Sequence, residues 1–292
     1  METLFIVLTT ECNKTCQYCF YVTGYEKKVE SKLSPESISG FLDCLKKTGL
    51  KQVIFTGGEP FLWKDLFAVL KLSSEMGFYN LLITNGTFLS EEIFPEIVES
   101  GVNAISITVD SLEGEKNKSL IRAIRGISGS GLIRITLITP ITRKNFKEIE
   151  NIYDFSKKLS IGLIFQPAFI PQNNPLFEEL SLRGIDENDW SLIKKVLNEW
   201  AKDFGAENYA GLIYNFYEGK NQKTKNCSMG TDAFVLNANG DLLPCFHHGE
   251  LVIGNIIQDS FDEILKNLEK FSNELSRAHC FGEHCISLFS HL

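Results

Sequence analysis

The chain contains no apolar run of the roughly 20 residues that a membrane-spanning helix needs, so no membrane span is expected. Its start, METLFIVLTT, carries Glu2 and no basic segment, which excludes a secretory signal. Internal repeats and low-complexity tracts are lacking, which argues against a repeat array or a long disordered tail. Basic charge is scarce: Lys+Arg total 29 against 37 Asp+Glu, for a net charge of −8. A nucleic-acid partner favours a basic face and is not expected. What is present is a 292-residue chain with 43% hydrophobic residues, ordinary for a globular protein and enough for one large domain or a domain with an appendage. Eight cysteines in metal-like spacings, with no export signal, point to metal ligation in a reducing cytosol.

From residue 3 to about 168, strands and helices alternate. Strands are predicted at Thr3–Thr9, Gln52–Phe55, Leu81–Thr84, Ala104–Val109, Leu132–Ile138 and Ile161–Phe165. Ser34 and Pro35 start a helix whose apolar face is Ile38, Phe41, Leu42 and Leu45. Further helices are expected at about Leu62–Met76, from a Ser90 cap to Gly101, within Lys118–Ile127, and after Asn145, which with Glu148 reads as a capping-box variant. Six β-α units in a row imply a parallel sheet of the α/β class, with its chemistry at the C-terminal ends of the strands. After Pro167 the pattern changes. PQNNP reads as a linker, and a helix at Glu187–Phe204 carries Trp190, Ile193, Leu197, Trp200 and Phe204 on one core-facing stripe.

Two motifs fall at those strand ends. ECNKTCQYCF places Cys12, Cys16 and Cys19 in a C-x3-C-x2-C run after the first strand. Three close thiolates can ligate three irons of a cubane 4Fe-4S cluster and leave the fourth iron open; half a zinc site or part of a disulfide framework are the other readings. TGGEP, Thr56 to Pro60, follows the second strand. Its glycines let backbone approach a ligand closely, and Glu59 offers a carboxylate to an ammonium group. Together and in this order, the two motifs resemble the signature of the radical S-adenosylmethionine (SAM) enzymes.

That resemblance implies a six-stranded partial (β/α)6 TIM-like barrel. It also implies SAM chelated at the open iron and reductive cleavage to a 5′-deoxyadenosyl radical that abstracts hydrogen from a substrate. Tyr18 is expected against adenine, and Gly57, Gly58, Glu59 and Pro60 around the SAM amino group. Asn85 ends the third strand within the expected cofactor site. Thr108 and Asp110 lie in TVDS, which looks like a ribose-contacting segment, although Asp110 also suits a turn cap. Ser106, Thr108 and Asp110 share a polar strand face, as do Arg134 and Thr136, and these faces are expected to line the barrel. Arg134 would meet the SAM carboxylate or an acidic substrate, or else reach solvent. Gln166 would reach adenine.

A second cysteine set follows. Cys227 and Cys245 bracket a hairpin turning at Asn239-Gly240, and Cys280 and Cys285 lie beyond a helix within about Phe261–Leu275. The C-x12-G-x4-C spacing resembles the SPASM and Twitch extensions of radical SAM enzymes, which hold auxiliary 4Fe-4S clusters. The further cysteines of a full SPASM pattern are missing, so one fully ligated auxiliary cluster, the Twitch arrangement, is expected; a structural zinc is the rival. His247 and His248 are expected at the surface, His279 and His284 flank the last cysteines, and Cys44 reads as a small buried hydrophobe. The expected organisation is a radical SAM barrel over 1–170, a helical linker over 171–226 and a small hairpin-plus-helix iron–sulfur extension over 227–292. Modification of a ribosomally made peptide is the leading expectation, even though the first strand begins at residue 3 with no leader-recognition domain before it. Dehydrogenation of a small-molecule alcohol is the alternative. A flavodoxin or ferredoxin reductant is implied, and no residue is assigned as acid, base or hydrogen donor.

Overall fold

The computed structural model describes residues 1–23, 27–170, 172, 174–218 and 227–274. In chain order the elements are β1 (Thr3–Val7), α1 (Phe20–Thr23), α2 (Pro35–Lys46), β2 (Gln52–Thr56), α3 (Leu66–Glu75), β3 (Tyr79–Thr84), α4 (Phe94–Glu99), β4 (Ala104–Thr108), α5 (Glu115–Ser130), β5 (Arg134–Ile141), α6 (Ile149–Leu159), β6 (Gly162–Pro167), α7 (Phe177–Leu180), α8 (Glu187–Phe204), α9 (Glu207–Tyr217), β7 (Ala233–Leu236), β8 (Asp241–Leu243), β9 (Gly254–Asn255) and α10 (Phe261–Glu274). The six predicted strands are β1 to β6, and they run parallel in sequence order. The parallel α/β sheet is the one expected from the alternation, and the fold is the partial barrel that the resemblance implies.

The sheet does not stop at β1. β7 pairs with β1 in parallel, Thr3 opposite Ala233 and Ile6 opposite Leu236, and β8 and β9 continue it antiparallel. One sheet of nine strands results, in the order β6-β5-β4-β3-β2-β1-β7-β8-β9. The predicted hairpin is β7–β8. It turns through Asn237 to Gly240, and Gly240 takes φ +92°, a conformation that glycine adopts at no steric cost.

Alternation along the strands sorts side chains into two layers. Leu4, Ile6, Val53, Phe55, Ile105, Ile107, Ile135, Leu137, Leu163 and Phe165 meet the helices in the main core. Phe5, Val7, Ile54, Ala233, Val235 and Leu243 form a separate cluster on the other, inner face. α2 begins as its sequence dictates: Ser34 Oγ accepts from Ser37 N–H, Ser37 Oγ accepts from Ser34 N–H, and Ile38, Phe41, Leu42 and Leu45 are buried. α8 matches its predicted span, capped by Asp186, whose carboxylate accepts from the N–H groups of Asn188 and Asp189. It lies over β6, where Trp200 packs edge-on to Phe165 and donates to the Leu163 carbonyl at 2.9 Å. α10 reaches back to α2, with the rings of Phe261 and Phe41 5.9 Å apart.

The helix starts expected at Leu62, Ser90 and Asn145 differ. The helix expected from Leu62 begins at Leu66, because Pro60–Leu62 forms a short 3-10 turn and Trp63 then leaves helical geometry at ψ 116°. Ser90 does not cap α4; Pro95 sits in the first turn, where its missing N–H costs nothing, and that places the start at Phe94. Asn145 makes no cap. Its Oδ1 accepts from the N–H and hydroxyl of Thr142, and its Nδ2 donates to the carbonyls of Pro140 and Asp110.

Trp200 is 2% exposed. Trp200→Ala is expected to lower the unfolding free energy by about 3–5 kcal/mol, and Trp200→Phe by about 1 kcal/mol through the lost hydrogen bond. Urea denaturation measures both.

Candidate cofactor site

The loop after β1 carries the three cysteines, and the GGEP turn follows β2. The two are bound by backbone: Gly58 N–H donates to Thr9 O at 2.7 Å and Glu59 N–H donates to Glu11 O at 2.8 Å. A Cβ on Gly57 would stand 2.5 Å from Thr9 O, and one on Gly58 only 2.2 Å from Glu11 O. The sequence suggests that these glycines admit a ligand. In the structure the close neighbour is the backbone entering the cysteine loop.

Glu59 is 0% exposed. Its carboxylate accepts from Thr84 Oγ1 at 2.7 Å, Asn85 N–H at 2.8 Å and Phe61 N–H at 3.3 Å. Burial pushes its pKa up, against the pull of these donors. Three of its roughly four acceptor positions are engaged within the protein. Glu59 thus ties the end of β2 to the end of β3. Pro60 is buried beside it and opens the 3-10 turn.

Asn85 connects β3 to the cysteine loop. Its Nδ2 donates to Cys12 Sγ at 3.6 Å and to Asn13 Oδ1 at 2.9 Å. Its carbonyl accepts from Lys14 Nζ at 3.0 Å, and its Oδ1 accepts from the N–H and hydroxyl of Thr87. Lys14 N–H also points at Cys12 Sγ, at 3.4 Å. Lys14, Asn13 and Thr87 escaped the sequence reading. A polar Thr-Asn-Gly run at a parallel strand's C-terminal end is the signal that marks Thr87, while Asn13 and Lys14 lie between the first two cysteines.

From β4, Asp110 meets the same loop. Tyr18 donates its hydroxyl to Asp110 Oδ1 at 2.6 Å. Burial pushes the Asp110 pKa up, and burial together with the Asp110 charge pushes up those of Cys16 and Tyr18. Lys14 pulls Cys16, Asp110 and Glu59 the other way. Thr108 is half-buried at the end of β4, and Gln166 half-buried near the end of β6, both at the cysteine-loop end of the sheet. Arg134 does not join them. It is the first residue of β5, opposite Ala104, and it is exposed at the other end of the strands.

Cys227 and Cys245 pack against the inner cluster that contains Phe5 and Val7, on the sheet face opposite the main helical core. His247 N–H donates to Cys245 Sγ at 3.4 Å. Neither histidine here is a surface residue. His247 lies edge-on to Phe20 and Phe169, ring centroids 5.3 and 5.0 Å away, and burial brings its pKa down to about 4. His248 is 9% exposed and contacts Glu250 through Nδ1. Cys280, Cys285, His279 and His284 lie outside the described residues. Cys44 is half-buried on α2, with its pKa raised by burial.

Cys12, Cys16 and Cys19 are half-buried on one loop, and N–H donors facing Cys12 Sγ suit a thiolate ligand. Among the described residues no three His, Cys, Asp or Glu side chains form a group already arranged to hold a metal ion. The donor set fits an iron–sulfur cluster.

Comparison with known proteins identifies the family. Residues 6–156 match the radical SAM superfamily. The chain belongs to that superfamily. Residues 227–286 match the SPASM iron–sulfur cluster-binding domain. The AdoMet-dependent heme synthase of Methanosarcina barkeri is 25% identical over 90% of this chain and 82% of its own length. A GTP 3′,8-cyclase of Clostridium botulinum is 25% identical over 95% and 92%. Among solved structures, SAM-bound SuiB of Streptococcus suis superposes with a TM-score of 0.67 at 15% identity, covering 89% of this chain; this chain spans 64% of SuiB. The AdoMet-bound anSMEcpe superposes at 0.64 with 20% identity, covering 92% and 82%. This radical SAM protein is therefore an enzyme, and its cofactors are SAM, a 4Fe-4S cluster and auxiliary iron–sulfur chemistry in the extension. Among the described residues no helix is long and apolar enough to cross a membrane.

Gly58→Ala is expected to force the cysteine loop away, because the clashing atoms are backbone, and to lower iron per chain and SAM binding severalfold. Gly129→Ala, within α5 and with nothing within 4 Å of the added carbon, is expected to leave both unchanged. Iron assay and equilibrium SAM binding compare the two. Tyr18→Phe removes the donor to Asp110 and is expected to cost about 1.5 kcal/mol near neutral pH. Because Asp110 loses a bond that favours its charged form, its folded pKa rises further above the ordinary 3.8. The extra cost therefore shrinks as pH falls toward 3.8 and grows as pH rises above it. Denaturation of both proteins from pH 5 to 8 measures this trend.

Proposed function

We propose that this enzyme modifies a ribosomally made peptide by SAM-dependent hydrogen abstraction. In this reading Cys12, Cys16 and Cys19 hold the catalytic cluster. Cys227 and Cys245, with Cys280 and Cys285, hold one auxiliary cluster. When bound, the cluster and SAM supply the radical that abstracts hydrogen. The GGEP turn, Asn85, Tyr18, Thr108, Asp110 and Gln166 surround the SAM position, and the organisation is a core over 1–170, a helical segment over 171–226 and the auxiliary unit over 227–292. A cytosolic setting with a flavodoxin or ferredoxin donor belongs to the same reading, since the clusters require reduction.

The observation that carries the peptide assignment is where the cationic forks go. The described arginines are engaged elsewhere: Arg134 lies on the inner-facing row of β5 but at the far strand end, Arg143 donates to the carbonyls of Ser181 and Arg183, Arg183 lies over the ring of Phe216, and Arg122 and Arg125 are exposed on α5. A triphosphate or a porphyrin's carboxylates call for such groups. Toward the cysteine-loop end, the inner-facing positions of β5 and β6 carry Ile138, Pro140, Ile164 and Gln166, with Arg134, Thr136 and Gly162 toward the other end. SuiB has been solved with its precursor peptide SuiA, and its likeness to this chain supports the same direction.

Anaerobic incubation with SAM, a strong reductant and short peptides encoded beside the gene tests the proposal. 5′-Deoxyadenosine together with a changed peptide mass is the expected result. Cleavage of SAM with no mass change in any such peptide overturns it, and a small alcohol product lacking two hydrogens would establish the dehydrogenase instead. Iron analysis is expected to give about eight irons per chain, with about four if only the catalytic cluster is held.

A further inference from the structure

The surroundings of Cys12 differ from those of Cys16. Two N–H groups converge on Cys12 Sγ: Asn85 Nδ2 at 3.6 Å and Lys14 N–H at 3.4 Å. Cys16 neighbours the carboxylate of Asp110 as well as the hydroxyl of Tyr18. The donor from Asn85 is fixed in place. Its Oδ1 is held by the N–H and hydroxyl of Thr87, its backbone N–H by Glu59 and its carbonyl by Lys14 Nζ. Such a side chain cannot swing away at little cost. The Lys14 ammonium is anchored at the same carbonyl, so a positive charge also stays beside the Cys12 loop.

Resting on the reading of Cys12 as a cluster ligand, we propose that Asn85 and Lys14 are positioning residues that set the reduction potential of the catalytic cluster. Hydrogen bonds to ligating sulfur and nearby positive charge stabilise the reduced form, because the added electron is shared with the sulfurs. Without these groups the cluster would be harder to reduce, and a donor of fixed potential would load it less often. Glu59 serves this arrangement from behind, by holding the Asn85 backbone.

The experiment is an electron-paramagnetic-resonance redox titration of the reconstituted full-length enzyme, following the signal that changes when SAM is added. At the wild-type midpoint, Lys14→Met and Asn85→Ala are expected to lower the reduced-to-oxidised ratio by about three- to tenfold, tenfold corresponding to about 59 mV for one electron. Asn85→Asp removes the donor and adds a like charge, so it is expected to fall below Asn85→Ala. A purely structural role would change iron content without this ordering. Equal midpoints in all variants overturn the proposal. If the Asn85 variants retain too little iron to titrate, Lys14→Met decides: a negative shift supports the proposal and an unchanged midpoint overturns it. Cys12→Ala separates the two levels, since survival of the SAM-responsive signal there would overturn the ligand reading itself and the inference with it.

Discussion

The site hangs on two backbone hydrogen bonds, Gly58 to Thr9 and Glu59 to Glu11. They join the first residues beyond β1 to the first residues beyond β2, and they form only because Gly57 and Gly58 have no side chain. Everything nearer the cofactor is referred to this contact. The cysteines leave from residue 12, one position past it. Glu59, aimed by the same turn, carries the alignment on to β3 through Asn85, and Asn85 returns it to Cys12. Tyr18 and Asp110 add β4 on the other flank. Four strand ends are thus locked around one loop by short polar contacts rather than by apolar packing, which is the arrangement a polar cofactor demands.

A buried carboxylate at the centre of this arrangement is costly. Glu59 is removed from water, and burial raises its pKa. Three donors, two of them backbone N–H groups, offset that cost. The price is tolerated where strand ends must be held without a ligand's help. The same economy appears at Asp110, which is served by a single phenol.

The architecture was largely legible in the sequence because it rests on local signals. Alternating strands and helices, the Ser34–Pro35 start and the stripe on α8 each depend on periodicity or capping within a few residues. The two motifs named the site because their spacing is chemical rather than conformational. What stayed hidden was long-range. No local pattern says that Gly58 faces Glu11, that Asn85 touches Cys12, or that Tyr18 bonds Asp110 ninety-two positions away. Arg134 fell on the expected face but at the wrong end of its strand, because alternation reports faces and not height. His247 and His248 lacked any periodic context, and His247 is covered by Phe20 and Phe169, which approach from distant parts of the chain.

The placement of β7 beside β1 has a consequence for biosynthesis. Thr3 and Ala233 are partners in the sheet, yet the ribosome makes one near the start and the other near the end of the described chain. While the intervening residues are being made, β1 has β2 on one side and an open row of backbone groups on the other. The cysteine loop grows directly out of that half-paired strand. Loading iron into the nascent protein would meet a loop tied to the β2 side alone, whereas with β7 in place the loop leaves a strand paired on both sides. The order of events therefore favours completion of the polypeptide before metal insertion, with the C-terminal unit acting as the last stave that tightens the first.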